Sequence, residues 1–480
     1  EPNLEIRKES YLPNQQQLLL RKMNSENHSK EISKNPPTKP VVIIGAGVGG
    51  LSIATLLVND GHPVSVYEKS EHVGGRTASM EFKNHILDNG FHIMPFYKKS
   101  AIYEILKDVK IESRLKLAIV DKIAFYDNGF HTYPKGIADI LKMSLIPFKS
   151  RISLLKILLP MAFTSMEKAE KLDSVPLTKV TSKLDFHSKQ FFDAVCMLAF
   201  ADTPDHISLG EFARTIIRAN PFKGGTSEFA YPDMGGYDRI SEVMANYVKE
   251  KNSQVNLGSS IKKVIVKDRK VTGVELSTGE IVQSDCVIIS YPAYHAINQL
   301  FDSGVFDDDF IKKTNRLNKT TSVVEVHFAL SKRLDERQVV FPVGENYVSK
   351  GIFFISNITP SVSPKGEHLI IVGTPVKPEE TENPTRIKEI VSTMKQELSE
   401  IYPDFDDSLL WDRPMAWKLV EAVVKEPGLV WKNKMPHSVS HVDGLFFVGD
   451  STISYGIGTD SAAHSAVLAH PLIEKHLSSL

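Results

Sequence analysis

The stretch "KPVVIIGAGVGGLSIATLLVNDGHPVSVYEK", residues 39–69, constrains the fold more than any other part of the chain. Val41 to Ile44 form a short β-branched run with no polar interruption, the pattern of a strand buried on both faces of a parallel sheet. Gly45, Gly47 and Gly50 follow as GxGxxG, with Val48 and Gly49 between them. In this arrangement the first glycine makes the tight turn and the second lets the backbone approach a pyrophosphate. The third lets the helix pack closely on the strand. Leu51, Ala54, Leu57 and Val58 keep helical spacing, Gly61 ends the helix, and "PVSVYE" reads as the next strand. Glu68 stands 18 residues after Gly50, near the spacing of about 20 at which an acid meets the ribose hydroxyls of a dinucleotide. Its charge repels a 2′-phosphate and so disfavours NADP. Strand, glycine turn, helix, strand and acid in this order predict a Rossmann-like nucleotide-binding unit and an α/β fold.

A second glycine pair follows at once, in "VYEKSEHVGGRTAS". An NAD-binding unit needs nothing special there. A cofactor that runs further across the protein needs more backbone donors and a cation along its length. Gly74 and Gly75 let the chain pass close to a diphosphate–ribityl region, Arg76 supplies the cation and Thr77 a hydroxyl. That pattern points to FAD.

These residues resemble the FAD-dependent amine oxidase and phytoene desaturase superfamily, closest to its phytoene dehydrogenase-like, carotenoid desaturase branch. The family's "RxGGRxxS/T" block is matched from His72 to Ser79, with His72 in place of the first arginine, which weakens that arginine's charge contact. "HILDNGFHIM" resembles the segment that lies along the flavin, with Asp88, Gly90, Phe91 and His92 in those places. "YPDMGGYDRISEVMANYVKE", with Gly235 and Gly236, resembles the segment that returns the chain to the FAD domain. The strands of 255–293 follow, with a turn at Thr278-Gly279, and the resemblance puts Ile261 where a main-chain pair meets adenine. In "DGLFFVGDSTISYGIGTDSAAHSAVLAH" it puts Gly449 and Asp450 at the ribityl chain or phosphate. It also puts the N–H of Thr459, at a helix N-terminus, near flavin O2. Val48, Gly49 and Lys69 are counted with the cofactor contacts. The resemblance covers roughly residues 40–480 and is thinnest in the middle.

The implied architecture is a discontinuous Rossmann-like FAD-binding domain with an inserted α+β substrate domain. The FAD domain takes 40–100, 226–298 and 438–480. The substrate domain takes 101–225, read as largely helical, and 299–437, read as strands at "TTSVVEVHFAL" and "HLIIVGTPV" with a helix at "PTRIKEIVSTMKQELSEIYP". Residues 1–39 are polar with almost no aromatics and read as a disordered tail. Their acids Glu26 and Glu31 argue against an organelle-targeting segment.

Lys plus Arg number 57 against 58 Asp plus Glu, so the chain has no overall basic character and no nucleic-acid partner is expected. Cys196 and Cys286 are two thiols far apart; a reducing, cytoplasmic setting is the simplest reading, with a single bridge left open. Residues 140–166 carry Lys142, Lys149, Arg151 and Lys156 and are broken by Pro147 and Pro160. A spanning helix needs about 20 apolar residues with few charges. This segment suits an interfacial amphipathic helix with peripheral membrane contact, or else an ordinary helical pair.

No HExxH, CxxC, GxSxG or Walker lysine competes for the chemistry, and no metal is expected. By resemblance the flavin carries the reaction, taking a hydride from a C–H bond. Amine oxidases of the superfamily place a lysine near flavin N5 on the strand that matches "SVVEVHFAL", and an aromatic just before the flavin-O2 residue. Here the strand has no lysine and the second position is Gly458. Both favour the desaturase side and a lipophilic, isoprenoid- or carotenoid-like substrate, with oxygen, a quinone or NAD as electron acceptor. Three alternatives stand beside it: an amine or protoporphyrinogen-type oxidase, a flavoprotein without net redox turnover such as an isomerase using reduced FAD, and a non-catalytic FAD-binding module at a membrane or partner. No acid or base is identified. Tyr455, His92 and Tyr291 stand where each either approaches the flavin or packs.

Overall fold

The computed structural model describes residues 39–219, 228–344 and 346–480. The expected N-terminal tail, and the proposed junction at residue 226, lie outside them. Residues 39–480 form one compact unit.

A five-stranded parallel sheet organises the nucleotide half. Its order is Leu445–Phe447, Val287–Ile289, Val41–Ile44, Val64–Tyr67, Gln254–Asn256. The first four of these strands are buried along their whole length, as predominantly apolar runs covered on both faces are; Ser65 is the one polar interruption. One face packs on the helix Val48–Asn59, which lies against the long C-terminal helix Gly458–Leu477 and against Arg239–Glu250. The other face packs on the three-stranded antiparallel sheet of 261–283, through Val264, Val271 and Val274. The helix at 48 begins at Gly47 and closes at Asp60, with Gly61 at φ +93° just beyond. Sheet order thus brings together segments some 400 residues apart in the chain, and all five strands point the same way.

The second half is built on a seven-stranded sheet in the order Leu409–Trp417, Ser322–Leu330, His368–Val376, Gly351–Phe353, Val339–Pro342, Ile123–Tyr126, Phe130–Thr132. Val324, Val326 and Phe328 face the amphipathic helix Pro384–Ile401, which Asn383 caps through its Oδ1 to the Arg386 N–H. The residues between them in the strand, Val323, Glu325 and His327, point to the opposite face. Residues 101–219 hold seven α-helices and also carry strands. They contribute the strands Ile123–Tyr126 and Phe130–Thr132 to the large sheet, and Leu117–Val120 pairs with Phe229–Pro232.

Residues 140–166 do not form one interfacial helix. Pro147 starts a new one, so the segment splits into Ile137–Lys142 and Phe148–Ala162, with Pro160 in the last turn. Leu154, Leu155 and Leu158 of the second helix are buried in the main core. Among the described residues no helix is long and apolar enough to cross a membrane. Cys196 and Cys286 are both free and buried, so the possible bridge does not form.

Candidate active site and cofactor cradle

The glycine turn has the conformation its sequence requires. Gly45 sits at φ +104°, and its N–H donates to the Tyr67 carbonyl at 2.8 Å, tying the first turn to the second strand. A methyl group on Gly50 would collide with the Gly45 carbonyl oxygen, which is why the helix can lie so close to the strand it follows. At Gly47 the added carbon would meet little besides the Gly74 carbonyl, and the Gly74 N–H donates to the Ala46 carbonyl at 2.9 Å. The two glycine motifs are therefore one structure: the GGR segment lies directly over the first turn.

Glu68 is buried at the end of its strand. One carboxylate oxygen accepts from the Ala46 N–H at 2.8 Å and the other from the Ser70 N–H at 2.9 Å. An ionised carboxylate offers about four acceptor positions, so two remain for a pair of ribose hydroxyls. The backbone of 258–259 bonds to 68–70, which brings Ile261 beside the acid.

Arg76 departs from the simple expectation of a free cation. Its Nη2 and Nη1 donate to the two oxygens of Asp450 at 2.5 and 2.9 Å, and Nη1 also donates to the Val420 carbonyl at 2.6 Å. Asp450 accepts a further bond from the Ala422 N–H at 2.8 Å. Burial alone would raise the Asp450 carboxyl, but the Arg76 charge and its two hydrogen bonds outweigh burial, and Ala422 and Lys425 help to hold it well below the usual carboxylate range. The pair clamps the GGR segment to the loop 420–422 and to the C-terminal motif. The guanidinium still borders the cavity, its side chain 36% exposed.

The motif around Asp88 separates into a buried anchor and an exposed edge. Asp88 accepts from Tyr231 Oη at 2.6 Å, Ser79 Oγ at 2.7 Å and the Tyr237 N–H at 3.0 Å, and it holds the fold from behind the cavity. Gly236 is needed because a side chain there would strike Ser79 and Asp88. Asn89, Gly90, Phe91 and His92 line the cavity. His92 Nε2 faces the carbonyls of Asn89 and Arg76 at 3.1 and 3.3 Å and its ring stacks on Tyr237, so Nε2 carries the hydrogen of a neutral imidazole. Burial lowers its pKa against the pull of Asp88.

One cavity of about 990 Å³ collects these positions. Gly45, Gly47, Val48, Gly49, Glu68, Lys69, Gly74, Gly75, Arg76, Thr77, Gly90, Phe91, His92, Ile261, Gly449, Asp450 and Thr459 all line it. Gly50 does not; it stands behind, between helix and strand. Thr459 is the second residue of the C-terminal helix, its hydroxyl 3.1 Å from Tyr237 Oη. Tyr291 also lines the cavity, whereas Tyr455 packs against Trp431 and His464. The same cavity continues along an apolar wall that includes Phe191, Leu198, Phe212, Phe229, Phe341 and Phe353.

Glu325, which the sequence did not single out, stands where the two walls meet. It is 1% exposed and lines the cavity. Its Oε1 accepts from Trp417 Nε1 at 2.7 Å and from the Gly90 N–H at 2.9 Å. Its Oε2 is buried with no partner among the described residues. Burial lifts the carboxyl to about 8, against the hydrogen bonds from Trp417 and Gly90 and with a further push from Asp88.

The cradle fits a flavin dinucleotide. Backbone lies open at Gly47, Glu68 keeps acceptor positions for hydroxyls, the Ser290 hydroxyl is buried without a partner among the described residues, and positive-φ glycines at 74, 75, 90 and 449 border the wall. Residues 48–469 match the family described as flavin-containing amine oxidoreductase, and the chain belongs to that family. It is an FAD-dependent oxidoreductase. It is similar to a 4,4'-diapophytoene desaturase (4,4'-diapolycopene-forming) of Methylomonas sp, 23% identical over 328 residues; that match spans 62% of this chain and 62% of the relative. A phytoene desaturase of Phycomyces blakesleeanus is 23% identical over 493 residues, 87% of this chain and 82% of its own. Among solved structures, an oxidoreductase from Methanosarcina mazei shares the fold at a TM-score of 0.72 and 20% identity, over 90% of this chain and 99% of that one.

Proposed function

We propose that this oxidoreductase removes a hydride from a C–H bond of a lipophilic, isoprenoid- or carotenoid-like substrate and so acts as a desaturase. The observation that carries the reading is the apolar wall that continues the cofactor cradle. Phe191, Leu198, Phe212, Phe229, Phe341 and Phe353 offer a hydrocarbon chain contact along its length, and burying apolar surface there is favourable by roughly 25 cal/mol per Å². The lysines that reach the cavity beyond the nucleotide end, Lys135 and Lys350, have the wrong sign for an ammonium substrate, and Gly344 and Asp121 already engage them. The names of the two desaturase relatives point the same way.

In this reading Glu68 holds the ribose, Ile261 borders the adenine, and Gly74 to Arg76 pass along the diphosphate. Gly90 to His92 and the Thr459 N–H border the flavin. Asp450 takes the ribityl chain while pinned by Arg76. FAD, when bound, supplies the electron sink that takes up the hydride. The chain's own work is to position the substrate carbon and exclude water. We assign residues 40–100, 226–298 and 438–480 to the FAD domain and 101–225 and 299–437 to the substrate domain.

The reading includes a lipid surface as the source of substrate. Phe148, Phe163 and Phe186 are about 60% exposed at the ends of the helices Phe148–Ala162 and Phe186–Phe200, and both helices line the cavity through Leu158 and Phe191. Lys142, Lys149, Lys156, Lys183 and Lys189 are exposed around them. Exposed aromatics ringed by lysine suit an anionic bilayer.

The test is anaerobic. Purified holoenzyme is mixed with carotenoid precursors in detergent, with diamines and with reduced porphyrins, and flavin bleaching is followed at 450 nm, roughly where oxidised flavins absorb. Bleaching by an isoprenoid chain supports the proposal. Bleaching by an amine or porphyrinogen alone replaces it with the oxidase reading, and a flavin that nothing bleaches favours the non-catalytic one.

A further inference from the structure

Glu325 combines features that no packing requirement explains. The strand Ser322–Leu330 is an interior strand of its sheet, second from one edge, and otherwise apolar apart from Ser322 and His327. A carboxyl group placed there without need is destabilising, because desolvation is not repaid by a counter-charge. What it receives instead are two neutral donors, both on Oε1. Gly90 belongs to the segment bordering the cofactor cradle, and Trp417 comes from the neighbouring sheet strand. The two donors fix the plane and direction of the carboxyl group and leave Oε2 unused. In the sheet, Glu325 is in register with Gly373, which in turn pairs with Gly351. Both glycines line the cavity, so the two strands on that side of the carboxyl carry no side chains there, while Met415 is its register partner on the other side. An oriented, partly satisfied acid beside a side-chain-free opening is a group kept for contact with something that enters.

We propose that Glu325 is the catalytic base of the dehydrogenation, its Oε2 taking the proton from the substrate atom that adjoins the carbon losing the hydride. The inference rests on the reading that the substrate gives up a hydride to the flavin. Loss of that hydride, with its electron pair, leaves the donor carbon electron-deficient. The bond from hydrogen to the adjoining atom then breaks, its electron pair becomes the new π bond, and its proton goes to Oε2. For a hydrocarbon chain the product is a C=C bond. The carboxylic acid so formed returns its proton to solvent before the next turnover.

The titratable and charged groups on the elements packed around Glu325 are few. Asp88 and His92 lie on the segment that carries Gly90. Lys350 precedes the strand Gly351–Phe353 and has its Nζ on the Gly344 carbonyl at 3.1 Å. Arg413 lies on the strand of Trp417, and His327 is two residues along Glu325's own strand. Burial, with the Arg413 charge, holds His327 neutral, down at about 3. With Glu325 lifted to about 8, the reactive carboxylate becomes more populated as pH rises, and a base with its pKa near the working pH is the efficient one.

The experiment compares wild type, Glu325→Gln and Trp417→Phe as holoenzymes. Flavin reduction is followed in single turnover with the substrate that bleaches the wild type, and infrared spectra of the substrate-free proteins are taken from pH 6 to 10. Glu325→Gln should retain flavin and substrate affinity but reduce its flavin roughly 10²–10⁴-fold more slowly. The wild-type rate should rise with pH and level off above about 8, and the variant's should be flat. The wild type should show a carboxylic C=O band that fades as pH passes through about 8 and is missing in Glu325→Gln. Trp417→Phe removes a bond that lowers the pKa, so its profile and band should move to higher pH.

The proposal is overturned if Glu325→Gln reduces its flavin at the wild-type rate with the wild-type pH profile. It is equally overturned if no titrating carboxylic band depends on residue 325. Bleaching by an amine in place of an isoprenoid would defeat the substrate reading alone, since the same variants compared on that amine still decide the role of Glu325. A wild-type flavin that no C–H donor bleaches overturns both.

Discussion

Arg76→Ala tests the clamp that closes the cofactor cradle. The ion pair is bidentate, with Asp450 nearly buried and the Arg76 side chain 36% exposed. An exposed pair contributes up to about 1 kcal/mol, and removing one partner of a fully buried pair is destabilising by about 3–5 kcal/mol. Asp450 would keep the Ala422 N–H and the nearby Lys425 charge, so it is not stranded. The expected loss therefore falls between the limits, about 2 kcal/mol. At about 2 cal/mol/K of unfolding entropy per residue, a chain of this length converts that into a melting shift of only about 2 °C.

The apoprotein melting curve and an FAD titration are both needed, because Arg76 is assigned two tasks. A structural clamp alone predicts the melting shift with a modest change in affinity. Contact with the diphosphate adds at least a further tenfold loss of FAD affinity, about 1.4 kcal/mol. The pH dependence has a definite sign. The folded-state pKa of Asp450 is depressed below its ordinary value of 3.8, so its contribution is present above that value and is lost as pH falls through the lower folded value. The gap between wild type and Arg76→Ala should be constant near neutrality and shrink below about pH 4. Combining Arg76→Ala with Asp450→Asn should be less harmful than the two single effects added. An Arg76→Ala protein that melts like the wild type and binds FAD as tightly would refute both assigned tasks.

Gly50→Ala should destabilise the protein by about 1–3 kcal/mol and lower the flavin content on purification, because the new methyl group meets backbone that cannot rotate away; an unchanged melting temperature and flavin ratio would contradict this. Lys434 is buried, donating to the Asp450 carbonyl and Ser454 Oγ at 2.9 Å each. Burial, with the charge of Lys425, brings it down to about 7 from 10.5. Between those values the unfolded chain binds the extra proton. Chemical denaturation should therefore show wild type gaining stability over Lys434→Met as pH rises from 7 to 9, and a constant difference would remove the basis for a neutral lysine. Replacing Phe148 and Phe186 together by Ser should weaken sedimentation with vesicles containing phosphatidylserine and leave the spectrum of the bound flavin unaltered; equal binding by both proteins would move the lipid contact elsewhere.

The parts legible in the sequence are those whose cause is local. Gly45 must turn with positive φ, Gly50 must lack a side chain, and Glu68 must end a buried strand at a fixed distance from both. Each requirement leaves its mark within thirty residues. The helices at 48 and 458 and the strands of 255–293 were equally readable, since apolar spacing and turn glycines define them. Glu325 was not, because its environment is made by Gly90, 235 positions away, and Trp417, 92 positions away. In one dimension it is an acid in a strand. A strand searched for a lysine yields an absence, whereas the informative residue was the carboxyl group that occupies the same strand. Asp88 shows the converse: its motif was recognised, but only three dimensions reveal that it is bonded on the far side of the wall that Gly90 and Phe91 present. For residues 140–166, Pro147 decided the geometry by dividing the segment in two, and Leu154, Leu155 and Leu158 turn into the main core.

The interleaved parallel sheet has a consequence for how the protein is made. Its strand order places 445–447 beside 287–289, and the helix that follows supplies Thr459 to the cavity wall. While the chain is being synthesised, the strand at 287 waits as an open edge with unpaired backbone groups, a template for mispairing with other chains. The cradle has no far wall until the last strand arrives. The cofactor therefore cannot select the native state until residues 445–459 have been delivered, and a chain ending at residue 430 would lack the wall that FAD needs. The strand 41–44 likewise waits for 287–289, so holdase chaperones should meet an open sheet edge from early in synthesis until residues 445–447 pair.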